Sequence, residues 1–264
     1  MVRPIGVIDS GVGGLTVVKE MLNILPNESI IYIGDDKRCP YGSRPAAEVL
    51  RFTIEMATAL SKMDIKMLVI ACNTATAVAL EDIRLLFSFP VIGVVVPGAR
   101  AAVTTSKTKR IAVLGTTRTI QSRAYSDEII RQSPNATVYP LDCPEFVPLV
   151  EKGQYKSESA RVVIEQRLQK LVGKDFDVAI LGCTHYPLLE NHIKKSLPAH
   201  VQVISSAVET VRDVEKELSE SKCVNNQVTY VAPIFYTTGP RETFKAIVCD
   251  WLEIDNPDVR KIIL

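Results

Sequence analysis

The stretch Leu68-Val-Ile-Ala-Cys-Asn-Thr-Ala75 sets a pattern for this chain, and Ala179-Ile-Leu-Gly-Cys-Thr-His-Tyr186 repeats it. Each is a short apolar run typical of a buried strand, which ends at a cysteine and continues through small polar residues into a helical pattern. Cys72 and Cys183 are therefore predicted at the carboxyl ends of strands and the amino ends of helices. Open parallel sheets bind ligands at that edge, and a helix N-terminus there lowers the pKa of a thiol. The two cysteines predict one site with a sulfur atom on each side.

Strand and helix patterns alternate along the chain outside these two stretches. Strands are predicted at 5–9, 29–34, 91–95, 110–114, 136–141, 177–182, 201–204 and 228–238, with Pro97-Gly98 closing the one at 91–95. Helices are predicted at 15–25, 46–63, 74–87, 120–131, 157–171, 187–195, 207–218 and 242–252. Regular alternation predicts an α/β protein with mostly parallel sheets.

An internal duplication is indicated, because aligning Ile8 with Leu114 and aligning Cys72 with Cys183 require nearly equal shifts. We therefore expect two pseudosymmetric domains, each a mostly parallel sheet flanked by helices. The first comprises 1–96 together with 207–264, and the second comprises 97–206. The active site is expected in the cleft between them, where Cys72 and Cys183 face each other.

The composition is that of an ordinary globular protein, with 47% hydrophobic and 23% charged residues. The 31 basic and 30 acidic residues are mixed along the chain and leave a net charge of +1, without the basic cluster of a nucleic-acid-binding protein. The N-terminus lacks a signal-peptide layout, and no stretch approaches the ~20 apolar residues of a membrane span. The sequence therefore predicts a cytoplasmic protein with no nucleic-acid or membrane partner.

The six cysteines show neither a CxxC pair nor a tight framework, so free thiols in a reducing compartment are expected. Any one of them can be a small buried hydrophobe. That interpretation is kept for Cys249, in an amphipathic helix, whereas Cys143 and Cys223 receive no role.

Two opposed thiols fit a racemase or epimerase acting at a carbon acid. Such an enzyme removes a proton from one face of the carbon and delivers one to the other. Cysteine suits both tasks if its surroundings bring its pKa from ~8.5 into the range where thiol and thiolate are both accessible.

Each cysteine has a candidate helper. His185 lies two residues after Cys183, and its near-neutral pKa suits proton exchange with a thiol, although a histidine at a helix N-terminus can also lack a catalytic role. Asp9, at the end of the first strand, is the candidate helper for Cys72. His192 and His200 resemble surface residues.

Other polar residues near the predicted sheet edges can bind carboxylates. The candidate donors are Ser10, Asn73, Thr74 and Thr184, with backbone N–H groups of glycine turns and helix N-termini. Thr74 and Thr184 can equally be helix N-caps. The polar segment 35–45, with Tyr41 beside Gly42, is predicted to be a loop that either binds a ligand or forms an exposed turn.

Three other chemistries compete with proton transfer by two thiols. Ser10-Gly-Val-Gly-Gly14 resembles a dinucleotide loop, but its third glycine would fall at Thr16 and Asp9 would face the phosphate. Zinc accepts ligands of the types at Cys72, Cys183, His185 and Asp9, but no pair has familiar zinc spacing and a metal would occupy the sulfurs. No lysine stands out as a pyridoxal phosphate anchor. The sequence thus predicts neither a cofactor nor a metal.

An ordered set of motifs resembles the glutamate racemases, within the cofactor-independent aspartate/glutamate racemase superfamily. The motifs are Asp9-Ser-Gly-Val-Gly-Gly, Cys39-Pro-Tyr-Gly, Ala71-Cys-Asn-Thr-Ala, Leu181-Gly-Cys-Thr-His-Tyr-Pro-Leu, Phe235-Tyr-Thr-Thr-Gly, Pro97-Gly-Ala-Arg-Ala-Ala102 and Phe146-Val-Pro-Leu-Val-Glu151. The resemblance extends over about 5–252. It departs from the family pattern at Pro45, where a serine is common, and at Ser205-Ser206, where Asp-Ser is usual.

This resemblance implies a two-domain, pseudosymmetric α/β isomerase that makes D-glutamate for peptidoglycan without a cofactor. It implies Cys72 and Cys183 as the catalytic pair, assisted by His185 and Asp9, and a possible homodimer. The substrate site would comprise Asp9, Ser10, Tyr41, Gly42, Asn73, Thr74, Thr184 and His185. Two alternatives remain at this stage: the same chemistry on aspartate or a hydantoin, and an amino-acid-binding protein whose cysteines are not catalytic.

Overall fold

The computed structural model describes residues 3–225 and 231–264. Its strands are β1 Ile5–Asp9, β2 Ile30–Gly34, β3 Met67–Ile70, β4 Val91–Gly93, β5 Arg110–Gly115, β6 Thr137–Asp142, β7 Val178–Gly182, β8 Gln202–Ser205, β9 Ile234–Thr237 and β10 Asp258–Lys261. Its helices are α1 Leu15–Ile24, α2 Ala46–Ser61, α3 Asn73–Leu86, α4 Val95–Thr105, α5 Thr117–Gln121, α6 Ala124–Gln132, α7 Phe146–Glu151, α8 Glu158–Leu168, α9 Glu190–Ser196, α10 Ala207–Glu220 and α11 Arg241–Leu252.

The strands form two sheets in which every described pairing is parallel. The first has the order β10-β9-β2-β1-β3-β4, and the second has the order β6-β5-β7-β8. The order β2-β1-β3-β4 in one sheet matches β6-β5-β7-β8 in the other, as the internal duplication predicts. The predicted class, an α/β protein with two related parallel sheets, is confirmed.

We call β1–β4, β9 and β10 with their helices the first half, and β5–β8 with theirs the second half. Each sheet has an apolar cluster on both of its faces. The central strands β1, β3 and β7 are buried throughout, as expected of parallel strands covered by helices on both sides. The carboxyl ends of β1 and β3 adjoin in the first sheet, and those of β5 and β7 adjoin in the second. The Cys72 and Cys183 segments leave from these ends.

Three local predictions need correction. Pro97 and Gly98 do not close a strand: β4 ends at Gly93 and both residues lie in α4. Proline fits there because the N–H groups of a first helical turn lack intrahelical partners. The helix predicted at 120–131 is split into α5 and α6 by Arg123, whose φ of 60° is left-handed. Strand β10 was not predicted, and part of the predicted strand 228–238 lies outside the described residues.

Within the described part of the chain, no helix combines the length and apolar character needed to cross a membrane.

Candidate active site

The two cysteines line one small cavity between the halves. The lining residues are Ser10, Pro40, Tyr41, Gly42, Cys72, Asn73, Thr74, Thr116, Val147, Cys183, Thr184 and His185. The cavity volume is about 10 Å³, roughly the space of one water molecule. The structure thus brings together every predicted site residue except Asp9, which lies behind the lining.

Cys72 caps the N-terminus of α3. Its backbone is extended, its sulfur accepts a hydrogen bond from the N–H of Ala75 at 3.4 Å, and it lies 3.7 Å from the Ser10 oxygen. Burial raises the pKa of this thiol to about 12, and the nearby Asp9 carboxylate also raises it. The N–H of Ala75 at the helix N-terminus does lower this pKa, as expected, but loss of water destabilises the thiolate more, so the net shift is upward. Cys72 is a protonated thiol in this closed site.

Cys183 occupies the equivalent place in the second half, directly after β7. It is 6% exposed, and its sulfur lies 3.9 Å from Nδ1 of His185. The other ring nitrogen of His185, Nε2, lies 2.5 Å from a carboxylate oxygen of Glu151 on α7. The imidazole is thus held between a sulfur and a carboxylate.

Opposing effects act on the ionisation of His185. Burial lowers its pKa, but the hydrogen bonds with Cys183 and Glu151 outweigh burial and leave the pKa well above 6.5. Burial tends to raise the pKa of Glu151, yet the hydrogen bond from His185 leaves it lowered. His185 is therefore an imidazolium at neutral pH, with a proton available on the nitrogen that faces Cys183.

Asp9 connects the two halves instead of lining the cavity. It is fully buried; its carboxylate accepts a hydrogen bond from the N–H of Gly11 at 3.1 Å and one from the Thr184 hydroxyl at 3.3 Å. Burial raises its pKa, although the positive charge on His185 acts against this. No described hydrogen bond joins Asp9 to Cys72, so Asp9 influences this thiol through its charge.

The glycine turn after β1 and the segment 35–45 both provide close contacts between the halves. A Cβ on Gly13 would collide with Thr184 and His185, and one on Gly42 would lie 2.5 Å from the Cβ of Thr116. Glycine is needed at both positions for this approach. The segment 35–45 is not an exposed turn at Tyr41, whose ring is 1% exposed and whose hydroxyl donates to Asp35 at 2.5 Å.

Neither Thr74 nor Thr184 is a helix N-cap. Thr74 lies within α3, and its hydroxyl is 2.9 Å from that of Thr116 and 3.1 Å from that of Thr119, both in the second half. Thr184 donates to Asp9. The side chain of Asn73 accepts a hydrogen bond from the Tyr125 hydroxyl at 2.7 Å.

Sequence reasoning did not identify Thr116 or Glu151 as site residues. The sequence contains a signal for Thr116, because the alignment of Ile8 with Leu114 makes it the counterpart of Ser10. Glu151 carries no comparable signal, since it follows an apolar run and meets His185 only in the folded chain.

One group of described residues has metal-ligand spacing, namely Cys39, Glu151 and His185, whose donor atoms lie within 4.8 Å of one another. It shares only His185 with the zinc alternative that the sequence raised. In the structure Nε2 of His185 is paired with Glu151, which leaves these groups as an ion pair with a neighbouring thiol.

A parallel α/β molecule with one thiol from each half in a shared cavity fits the class of racemases and epimerases that act at a carbon acid. The chain belongs to the Asp/Glu/Hydantoin racemase family, whose model matches residues 5–214. It is 50% identical to the glutamate racemase of Lysinibacillus sphaericus (strain C3-41) over 264 residues, which is the whole of both chains. Within the family, the chain is therefore a member of the glutamate racemases, which are isomerases.

Solved structures support the same assignment. A glutamate racemase isoform from Bacillus anthracis matches with a TM-score of 0.96 at 42% identity, covering 99% of this chain and 98% of that one. The glutamate racemase of Francisella tularensis, crystallised in complex with D-glutamate, matches with a TM-score of 0.92 at 33% identity, covering 99% and 98%.

The contact between Glu151 and His185 leads to a prediction about pH. In Glu151→Gln the pKa of His185 should fall, because the carboxylate that stabilises the imidazolium is gone. Since a group with a lower pKa loses its proton at lower pH, the alkaline limb of the pH profile should move down by about 1–3 units. The profile of kcat/KM against pH measures this shift. Glu145→Gln, which removes an exposed carboxylate on the neighbouring turn, is the control, and an alkaline limb that stays in place in Glu151→Gln would contradict the prediction.

Proposed function

We propose that this protein interconverts L- and D-glutamate by proton transfer at the α-carbon between Cys72 and Cys183. The observation that supports this most directly is the shared cavity, to which the two related halves contribute one buried thiol each. Proton removal from one face and delivery to the other require two such groups on opposite sides of a carbon.

The resemblance to glutamate racemases implies that Cys183 faces the α-proton of L-glutamate and that Cys72 faces that of D-glutamate. In the L-to-D direction, Cys183 removes the α-proton as a thiolate and Cys72 delivers a proton to the opposite face. The raised pKa of Cys72 suits this second role, because Cys72 starts as a thiol. Cys183 then carries the abstracted proton and Cys72 is the thiolate, so the reverse reaction begins from this state. His185, with its proton facing Cys183, helps that cysteine exchange its proton. The negative charge of Asp9 favours the protonated form of Cys72.

Uncharged donors around the cavity, together with the charged ring of His185, are suited to hold the two carboxylates of glutamate. We assign this role to Ser10, Tyr41, Gly42, Asn73, Thr74, Thr184 and His185 of the predicted set, and add Thr116. Glutamate is much larger than a cavity of about 10 Å³, so the halves must separate to admit it. The contacts of Gly42 and Thr74 with Thr116 are among those that join the halves at the cavity.

The remaining expectations form part of the same proposal. The two domains are 1–96 with 207–264, and 97–206. The enzyme acts in the cytoplasm, provides D-glutamate for peptidoglycan and forms a homodimer. It needs no metal or other cofactor.

Cofactor independence gives the basic test of the proposal. Purified protein, dialysed exhaustively against a chelator, should change the optical rotation of L-glutamate at an undiminished rate, with L-aspartate in parallel as the competing substrate. Activity that disappears on dialysis and returns with zinc would support metal chemistry. Faster turnover of aspartate than of glutamate would make aspartate the substrate. Binding of these amino acids without turnover would indicate an amino-acid-binding protein.

A further inference from the structure

The hydroxyl of Tyr125 lies where three segments of the chain meet. Tyr125 is on α6 in the second half and is 2% exposed. Its hydroxyl donates to the side-chain oxygen of Asn73, in the first half, at 2.7 Å. The side chain of Ser206, between β8 and α10, lies close to this hydroxyl and lowers the pKa of Tyr125, although burial leaves that pKa raised.

This arrangement fixes the orientation of the Asn73 amide. An asparagine side chain offers one oxygen acceptor and an NH₂ group with two donors. The oxygen of Asn73 is occupied by Tyr125, so the end of the amide that remains for a ligand is its NH₂ group. Asn73 lines the cavity next to Cys72. Held in this way, its NH₂ group is a donor for a carboxylate.

The Tyr125 hydroxyl is closely packed against the connections between the two halves. The chain passes between the halves at the connection before α4 and again at Ser206. Gly98 of α4 lies against both partners: a Cβ there would be 2.9 Å from the Tyr125 oxygen and 2.9 Å from the Cβ of Ser206. The phenol thus lies close to both connections.

We propose that Tyr125 is a positioning residue, which acts through Asn73 to aim an amide N–H donor at a carboxylate of the substrate. Ser206 packs beside the Tyr125 hydroxyl, which places the second connection between the halves next to this positioning contact. This inference rests on the proposed glutamate racemisation. It assigns Tyr125 no contact with the reacting atoms.

Tyr125→Phe tests the proposal, because it removes the hydroxyl and keeps the ring. Without its partner the Asn73 amide can rotate, and a hydrogen bond to a charged group is then weakened in the ground state and transition state alike. We expect KM for both enantiomers to rise about tenfold with kcat within about threefold of wild type. Tyr186→Phe is the matched control, since it also removes one buried hydroxyl, which donates to the backbone oxygen of Cys143 at 2.9 Å. It should lower the melting temperature similarly without the rise in KM.

The Asn73→Ala background separates positioning from a merely structural role. If Tyr125 acts through Asn73, Tyr125→Phe should change KM by less than about twofold once Asn73 is already Ala. A full tenfold effect in that background, an unchanged KM in Tyr125→Phe, or an equal rise in Tyr186→Phe would each overturn the proposal. Ser206→Ala provides a milder variant, with an expected rise in KM of about two- to threefold that should also vanish in the Asn73→Ala background. Wild-type protein that does not racemise glutamate would instead refute the proposed function.

Discussion

Cys72→Ala is expected to lower glutamate racemisation by at least about 10²–10⁴-fold while leaving one half of the proton chemistry intact. In this variant Cys183 can still remove the α-proton of L-glutamate, exchange it with solvent and return it to the same face. D-glutamate presents its proton to the missing side. In D₂O, slow deuterium incorporation should therefore continue into L-glutamate and stop for D-glutamate.

Cys183→Ala should reverse this preference, with exchange into D-glutamate alone. The exchange it retains should be slow at neutral pH, because the raised pKa of Cys72 leaves little thiolate. Proton NMR of the α-position measures exchange, and circular dichroism measures racemisation in the same samples. Cys249→Ala, which removes a half-buried thiol on α11, controls for the loss of a cysteine as such and should retain activity. Exchange of both enantiomers by either single variant would rule out opposed bases and indicate one mobile base.

The parts of this molecule that were predictable are those that the local sequence determines. Strands β1, β3 and β7 are uninterrupted apolar runs, since both of their faces are buried. The repeated pattern around Cys72 and Cys183 then brings both cysteines to the carboxyl edges of related sheets. Strand β10, Asp-Val-Arg-Lys, gave no such signal, because it lies at an edge and only its valine is buried.

The properties that escaped prediction arise from contacts between distant segments. The raised pKa of Cys72 reflects burial in the folded chain and the charge of Asp9, which outweigh the lowering by the helix N-terminus that the sequence indicated. The contact of Glu151 with His185 and that of Tyr125 with Asn73 join residues that are far apart in sequence. Local pattern shows which residues end a strand, but it does not show which side chains meet across a cleft.

The second large effect is expected from replacing His185, which lies between Glu151 and Cys183. His185→Asn keeps a polar side chain of similar size and removes the imidazolium proton that faces the sulfur of Cys183 at 3.9 Å. General acid–base assistance of this kind contributes about 10²–10⁴-fold, so kcat should fall by that factor. KM should change much less, because other donors around the cavity still hold the carboxylates. Steady-state kinetics in both directions measures the two effects.

His185→Asn should also slow deuterium exchange unequally for the two enantiomers, because His185 contacts Cys183 and not Cys72. Exchange into L-glutamate by Cys72→Ala should collapse when His185→Asn is added, whereas exchange into D-glutamate by Cys183→Ala should be reduced far less. His200→Asn, which replaces an exposed histidine after α9, should leave every rate unchanged. A His185→Asn variant with a wild-type kcat, or one that slows exchange of both enantiomers equally, would make this histidine a structural residue whose ion pair with Glu151 only holds α7 against the cavity.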